Sequence, residues 1–499
     1  MATAADEDRT GRDTGSLDRP WRLLVGGELV DCEGGQRLAV ENPATAKQIA
    51  EIPAGQPADV DRAVAAADAA FRSWRRTPAS RRAELVLELA EAIERNGAEL
   101  AWIDTVDNGS PIRVMRGDFK LAAEQLRYFA GLALGLTGDT IPSNDPSSID
   151  FTLREPFGVV GRIVPFNHPL MFGASKLGAP LVAGNTIVLK PSQNTSLSAL
   201  RLGELAAEIF PPGVVNVVSG TGSVVGDHLV GHPRVPRIAF TGGTEVGLGI
   251  QRRAADATVK LVTLELGGKN PIIVFADADF DSAVAGALRG MNFAWQGQSC
   301  GSTSRLYVHR SMFGRFVESL GAALDAMTIG DPQAESTDVG AIVSKAQYGK
   351  VVAYLRQGLD DPRVRLVTGG TAEDAGPGYF VRPTLFAIED DSDHVTIANE
   401  EIFGPILVAM PFDSYDEVIA QANRLEYGLT ASVWTNDLDT AMKATRDLET
   451  GYVWINWSSS HIPGTPFGGV KNSGSGREEG IEELYSYTQS KNVYIKFKG

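Results

Sequence analysis

Cysteine is nearly absent: Cys32 and Cys300 are the only two in 499 residues. They stand far apart in unlike surroundings, which excludes a disulfide framework and leaves no CxxC metal knuckle. The six histidines are scattered without ligand spacing, so no zinc or other metal is expected. Long uncharged apolar runs are missing too, which excludes a membrane helix. The opening MATAADEDRTGRD is acidic and lacks the apolar centre of a secretory signal, making the cytoplasm the default compartment. Basic clusters are also lacking. A formal net charge of −16 repels phosphate backbones and anionic lipid, so neither nucleic acid nor membrane is expected as a partner.

What is present is a chain 43% hydrophobic, long enough for two or three domains around a deep cleft. Residues 1–20 are polar and read as a tail, with the fold beginning near Trp21. Over 59–71 and 79–100, Ala and Leu recur at helical spacing among charges, predicting amphipathic helices. The β-branched runs GVVGRIVPF and NTIVLKP flank a helical LMFGASKLGAPLVAG, a βαβ unit. VVNVVSG, RIAFTGGTEVG and KLVTLELGGKNPIIVF continue the rhythm, which argues for a parallel, doubly wound sheet. After Asp277 the runs SRLYVH, VRLVTGG, ILVAMPF, SVWTN and GYVWIN predict a second α/β domain. The terminal KNVYIKFK alternates apolar with polar residues; it suits either an ordinary edge strand or an oligomer contact.

Three segments could carry chemistry. In Gly297-Gln298-Ser299-Cys300-Gly301, small neighbours leave room for a substrate and let backbone N–H groups approach a developing oxyanion. By itself, the same thiol reads at least as well as an inert buried hydrophobe. Glu265 ends an apolar strand ahead of Gly267-Gly268, where burial would raise its pKa toward that of a general base; a plain capping or ion-pairing role is the alternative. Asn167, between a strand and a helix, offers an amide donor where open α/β sheets bind ligands, or only an N-cap. Glycine turns at 220–226, 240–247 and 267–268 follow strands, and the first two precede helices whose N-termini suit pyrophosphate. Lys190 could reach a ribose hydroxyl.

Taken in order, PFNHP at 165–169, LKPS at 189–192, FTGGTEVG at 240–247, LELGGKNP at 264–271, GQSC at 297–300, EEIFGP at 400–405 and PFGGVKNSGSGRE at 466–478 resemble the motif series of the aldehyde dehydrogenase superfamily, from about Trp21 to the C-terminus. The resemblance implies a Rossmann-like doubly wound cofactor domain (21–135 and 155–267), a second α/β catalytic domain (268–470) and a small β oligomerisation element (136–154 and 480–499). It implies that Cys300 is the nucleophile, that Asn167 and the Cys300 N–H hold the oxyanion, and that Glu265 activates the water that hydrolyses a thioester. Lys176 and Glu478 are implied as a proton relay. NAD would be held by Ile163, Val164, Pro165, Phe166, Lys190, Ser192, Gln193, Gly222, Gly226, Phe240, Thr241, Gly242, Gly243, Leu266, Gly267, Glu401 and Phe403. A homodimer or homotetramer acting on a small-molecule aldehyde is implied as well.

The sequence departs from the family pattern at several points. Phe166 stands where Trp is frequent, and Gly243 where Ser is common. Gln193 occupies an acidic position; an amide does not repel a 2′-phosphate, so NADP becomes possible beside NAD. In the substrate tunnel His168, Ser175 and His461 replace aromatics, while Phe172, Ser299, Trp457 and Phe467 complete the expected wall. A bulkier or more polar substrate than acetaldehyde is expected, aromatic or semialdehyde.

Overall fold

The computed structural model describes residues 17–256, 258–372, 376–390 and 392–498. The β-branched strands Val159–Ile163 and Thr186–Lys190 are buried at every position, as strands covered by helices on both faces must be. They belong to an eight-stranded sheet. Its parallel core runs in space as Val215–Val217, Thr186–Lys190, Val159–Ile163, Arg237–Thr241 and Leu261–Glu265. In chain order this is the 3-2-1-4-5 pattern of a doubly wound fold, with the order reversing between Val159–Ile163 and Arg237–Thr241. The helix Pro169–Ala183 has all of its residues buried; it is apolar all round because sheet and neighbouring helices enclose it.

The second sheet has seven strands, in the order Val364–Thr368, Thr384–Ile388, Ile406–Phe412, Arg305–His309, Pro271–Val274, Thr430–Trp434 and Tyr452–Ile455, with only the first strand antiparallel. Helices such as Phe280–Gly290 and Phe313–Asp325 pack on it through Ala283, Ala287, Phe316 and Leu320. A third, three-stranded sheet joins Thr488–Lys496, Ser148–Pro156 and Thr140–Ile141. The α/β architecture expected from the alternating runs is thus the architecture observed.

The ends and boundaries differ in detail. Residues 1–16 of the expected tail lie outside the described residues, but 17–20 are tied down. Leu17 packs on the first core, and Arg19 pairs with Glu99 at 3.1 Å and Glu204 at 3.3 Å. The helical pattern over 79–100 divides into Ala79–Arg95 and Gly97–Asn108 at Asn96, whose φ of −103° and ψ of 12° leave the helix, and Gly97 lies against the Phe119 ring, where a Cβ would sit only 2.5 Å away. At the other end, residues 480–487 do not group with the β element. Leu484 and Tyr487 are fully buried in the first domain's core, and Asn185 Nδ2 donates to the Tyr487 carbonyl at 2.9 Å. Gly474–Ser475 also returns from the second domain to pair with Leu264 and Glu265. Among the described residues no helix is long and apolar enough to cross a membrane.

Gly286 sits against the indole of Trp434, and a Cβ there would meet the ring at 2.0 Å. Trp434 is itself buried in the second core and has nowhere to retreat. Gly286→Ala is therefore expected to destabilise the protein by about 1–3 kcal/mol through overpacking, read as a fall in the midpoint of urea unfolding with the slope unchanged.

Candidate active site

The carboxyl ends of the parallel strands converge at the point where their order reverses. Val159–Ile163 runs into Pro165-Phe166-Asn167, Arg237–Thr241 into Gly242-Gly243, and Leu261–Glu265 into Gly267. The second domain contributes Cys300, Glu401 and Phe403 from loops. Together these residues line one cavity of about 160 Å³. A larger, open hollow of about 800 Å³ beside Trp21 and Trp102 contains none of them.

Within the cavity, the chemistry follows from dryness. Glu265 is 4% exposed, and the Cys300 thiol is the one hydrogen-bonding side chain that acts on its carboxyl among the described residues. Burial, followed by the negative charge of Glu478, pushes its pKa up to about 8. Burial and the adjacent Glu265 raise the Cys300 thiol well above its ordinary value. The two groups therefore stand as a protonated thiol beside a carboxyl poised to take or give one proton near neutral pH. Cys300 itself keeps partial exposure toward the cavity. Its carbonyl accepts from Asn270 Nδ2 at 2.7 Å, while its own N–H donates to no group among the described residues. Gly297 makes this turn possible: its φ is +67°, and a Cβ would strike the Gly404 carbonyl at 2.3 Å.

Asn167 is held by a residue that motif reasoning missed. Asn108, which ends the helix Gly97–Asn108, donates from Nδ2 to the Phe166 carbonyl at 2.7 Å and the Asn167 carbonyl at 3.5 Å. Its Oδ1 accepts from the Ser110 N–H at 3.1 Å and from the Ser110 hydroxyl. That hydroxyl also lies 3.2 Å from Gln296 Oε1, which accepts from Gln298 Nε2 at 3.1 Å. A buried polar chain thus runs from the Asn167 loop to the Cys300 loop. In sequence the Asn-Gly pair after a helix signals only a turn, since its partners lie 58 and 59 residues away.

Arg162 was missed as well, although a charge inside a strand buried on both faces is itself a signal that a partner must exist. Its guanidinium donates to Glu478 Oε1 at 2.7 Å and to the Thr241 hydroxyl at 3.2 Å. Lys176 Nζ lies 3.0 Å from Glu478 Oε2. Burial alone would raise the Glu478 carboxyl, but Arg162 and Lys176 outweigh it and hold the group well below the carboxylate range. Lys176, although buried, is held above its ordinary value chiefly by Glu478. Both implied relay residues are thus together, as a fixed ion pair behind Glu265.

On the cofactor side the backbone is bare. A Cβ at Gly222, Gly226 or Gly243 would meet nothing within 4 Å. Gly243 is the N-cap of the helix Thr244–Ala255, whose first N–H groups have no acceptor inside the helix. Gln193 Oε1 accepts from the Gly222 N–H at 3.4 Å. Lys190 is 4% exposed, and burial alone lowers its pKa to about 8, so no carboxylate among the described residues offsets it. The Glu401 carboxylate accepts from the Gly268 N–H at 3.0 Å, and Phe403, at φ +56°, meets the Phe166 ring edge-on at 5.7 Å. Open N–H groups at a helix N-terminus, a buried unpaired ammonium and an aromatic-walled slot fit a dinucleotide. Gln347 and Lys350 join the same wall unforeseen. Phe240 and Leu266 instead face the core, under Gly242 and Gly247. Ile163 and Val164 are core residues too, while the Ser192 hydroxyl accepts from the Asn194 N–H at 3.2 Å and keeps its own proton to donate.

The substrate-wall residues fall into groups. His168 meets Phe172 at 5.7 Å and Trp295 at 5.3 Å, and His461 lies on Phe467 at 4.5 Å. Ser175 is fully buried against Met171 Sδ. Trp457 is half exposed beneath Arg289. Ser299 faces a separate small cavity of about 10 Å³ with Gly268 and Glu401.

A doubly wound domain whose crevice is closed by a loop bearing a thiol, opposite a buried carboxyl, defines a class: two-domain α/β proteins that join a dinucleotide-type crevice to a cysteine. The aldehyde dehydrogenase family model matches residues 29–493, and the chain belongs to the aldehyde dehydrogenase family. It is 41% identical to the phenylacetaldehyde dehydrogenase of Pseudomonas fluorescens over 96% of this chain and 97% of that one. With retinaldehyde dehydrogenase 3 of Mus musculus it shares 42% identity over 100% and 99%. A solved NAD+ complex of an aldehyde dehydrogenase from Bacillus cereus superposes with a TM-score of 0.94 at 40% identity, covering 97% of this chain and 98% of that one.

Asn108→Ala removes the donor that fixes the Phe166 and Asn167 carbonyls. Because a misplacement on the ångström scale suffices for a large loss, kcat for aldehyde oxidation is expected to fall about tenfold or more with KM little changed. Burst amplitude per folded site, measured alongside thermal unfolding, separates this from a loss of folded enzyme.

Proposed function

We propose that the chain oxidises an aldehyde to a carboxylic acid with NAD, through a thiohemiacetal and then a thioester on Cys300. The observation that carries the reading is the meeting, in one cavity, of the Cys300 thiol, the buried Glu265 carboxyl and the Asn167 side chain. Cys300 Sγ, its proton released to solvent, adds to the carbonyl carbon. The carbonyl oxygen, now an oxyanion, lies with the two donors left unspent, the Asn167 amide and the Cys300 N–H. When bound, NAD supplies the hydride acceptor that this oxidation needs. Glu265, once ionised, takes a proton from water, whose oxygen attacks the thioester carbon; the carboxylic acid leaves and Cys300 regains its thiol.

Lys190, Ser192 and Gln193 would hold the adenosine ribose, Gly222, Gly226 and the Gly243 helix end the pyrophosphate, and Glu401 and Phe403 the nicotinamide half. Gln193 places no negative charge against a 2′-phosphate, which leaves NADP acceptable beside NAD. The fixed Arg162–Glu478–Lys176 cluster tunes Glu265 rather than relaying its proton. An aromatic or otherwise bulky aldehyde is supported by the Phe172, Trp295 and Phe467 walls and by the phenylacetaldehyde and retinaldehyde named for two relatives. Self-association into a homodimer or homotetramer is supported by Ile149, Leu153, Tyr494, Ile495 and Phe497, which stay exposed on the three-stranded sheet. Two unbridged cysteines suit a reducing, cytoplasmic setting.

Glu265→Gln is expected to form NADH once per site and then stall by at least about a hundredfold, with the acyl group trapped on the protein; mass spectrometry of the stalled enzyme should show the adduct, and Cys300→Ala should show neither burst nor adduct. Loss of the burst itself in Glu265→Gln would remove Glu265 from hydrolysis. The pH dependence follows from the raised carboxyl: only ionised Glu265 activates water, so kcat limited by hydrolysis should rise with pH and level off above about 8. Glu478→Gln removes the neighbouring negative charge that raises Glu265, so the same limb should move to lower pH.

A further inference from the structure

Two imidazoles on the substrate side are held in the same way. His168 Nδ1 lies 2.8 Å from Asp118 Oδ2, and His461 Nδ1 lies 3.1 Å and 3.2 Å from the Glu479 carboxyl oxygens. Both carboxylates are buried, at 5% and 4% exposure. Glu479 is pinned in place by its backbone: its φ is +66°, and its N–H donates to Glu483 Oε2 at 2.6 Å. A carboxylate at Nδ1 fixes the ring orientation and keeps a proton on that nitrogen, so Nε2 is the free end of each ring.

The two pairs share one neighbourhood. His461 feels the charge of Asp118 as well as that of Glu479, and Lys176 opposes both. Burial alone would lower the His461 pKa, but Glu479 outweighs it and raises it, favouring an Nε2–H donor there. His168, with Nδ1 committed to Asp118, is likewise left with Nε2 as its free ring nitrogen. Phe172 and Trp295 pack on His168 and Phe467 on His461, and the Trp295 Nε1–H, shielded from solvent, has no partner among the described residues.

Resting on the aldehyde-oxidising function above, we propose that His168 and His461 form a recognition site for a phenolic hydroxyl at the end of the substrate remote from its aldehyde. A hydroxyl, alone among simple ring substituents, both donates and accepts, so it can meet the two free Nε2 atoms at once. A ring ether offers only an acceptor and leaves one imidazole unmatched. A terminal carboxylate would add negative charge beside Asp118, Glu478, Glu479 and Glu483, so a semialdehyde acid is disfavoured.

The test uses the purified enzyme with NAD and compares kcat/KM for 3- and 4-hydroxyphenylacetaldehyde, 4-methoxyphenylacetaldehyde, phenylacetaldehyde and succinate semialdehyde. At least one hydroxylated aldehyde is expected to exceed both its methoxylated and its unsubstituted counterparts by about tenfold, carried in KM. His461→Phe and His168→Phe should each collapse the hydroxyl-to-methoxyl ratio toward one. Because the ratio is taken within one preparation, a loss of folded variant does not alter it. A wild-type ratio near one, or a ratio unchanged in both variants, overturns the recognition site while oxidation of phenylacetaldehyde leaves the general function standing. Preference for succinate semialdehyde overturns the site as well. Absence of nicotinamide reduction with every aldehyde overturns both.

Discussion

Glu478 is the carboxylate on which the site's geometry turns. It reaches across the first domain to Arg162 at 2.7 Å and Lys176 at 3.0 Å, with almost no water around any of the three. Removing one member of such a buried cluster leaves an uncompensated charge, at a cost of about 3–5 kcal/mol. The cluster therefore locks a strand residue, a helix residue and the returning C-terminal chain into one arrangement. That returning chain also pairs Gly474 and Ser475 with Glu265 and Leu264. The same negative charge is the second contribution, after burial, that brings Glu265 toward neutrality. Structural locking and base strength thus share one source.

The second constraint is that the reacting groups come from different domains. Glu265 ends a strand of the first sheet and Asn167 lies on the loop that follows another, while Cys300 rides on a loop of the second domain. Loops of this kind hold position only if their polar groups are satisfied. Asn108, Ser110, Gln296 and Gln298 do this on one side, and Asn270, bonded to the Cys300 and Ser302 carbonyls at 2.7 Å and 3.0 Å, on the other. The donors left over, at Cys300 N–H and Asn167 Nδ2, are those an oxyanion needs. A site built this way is preorganised before substrate arrives.

Much of this was legible in the chain. The alternation of β-branched runs with helical segments foretold a doubly wound sheet and a second α/β domain, because strand and helix periodicities are local properties. The ordered motifs drew together Asn167, Glu265, Cys300, Glu401 and Phe403, which line one cavity. Less legible were the side-chain directions: Phe240 and Leu266 lie within cofactor motifs yet pack the core, and Ser299, next to the nucleophile, faces away into its own crevice. Asn108, Arg162, Asp118 and Glu479 were passed over, since each acts on a group distant in sequence.

The sequence by itself determined the class of chemistry, for nucleophile, base and amide donor are residue types, and residue type is written in the chain. It also determined the alternation of strands and helices that a doubly wound sheet requires, since both periodicities are local. Only the tertiary structure decided how those residues are charged and aimed. Whether Glu265 is a base near neutral pH depends on desolvation and on Glu478, more than two hundred positions away in sequence. Whether His168 and His461 present a free nitrogen depends on Asp118 and Glu479. Such properties arise from distance and dielectric in the folded state, and no local pattern of residues carries either quantity.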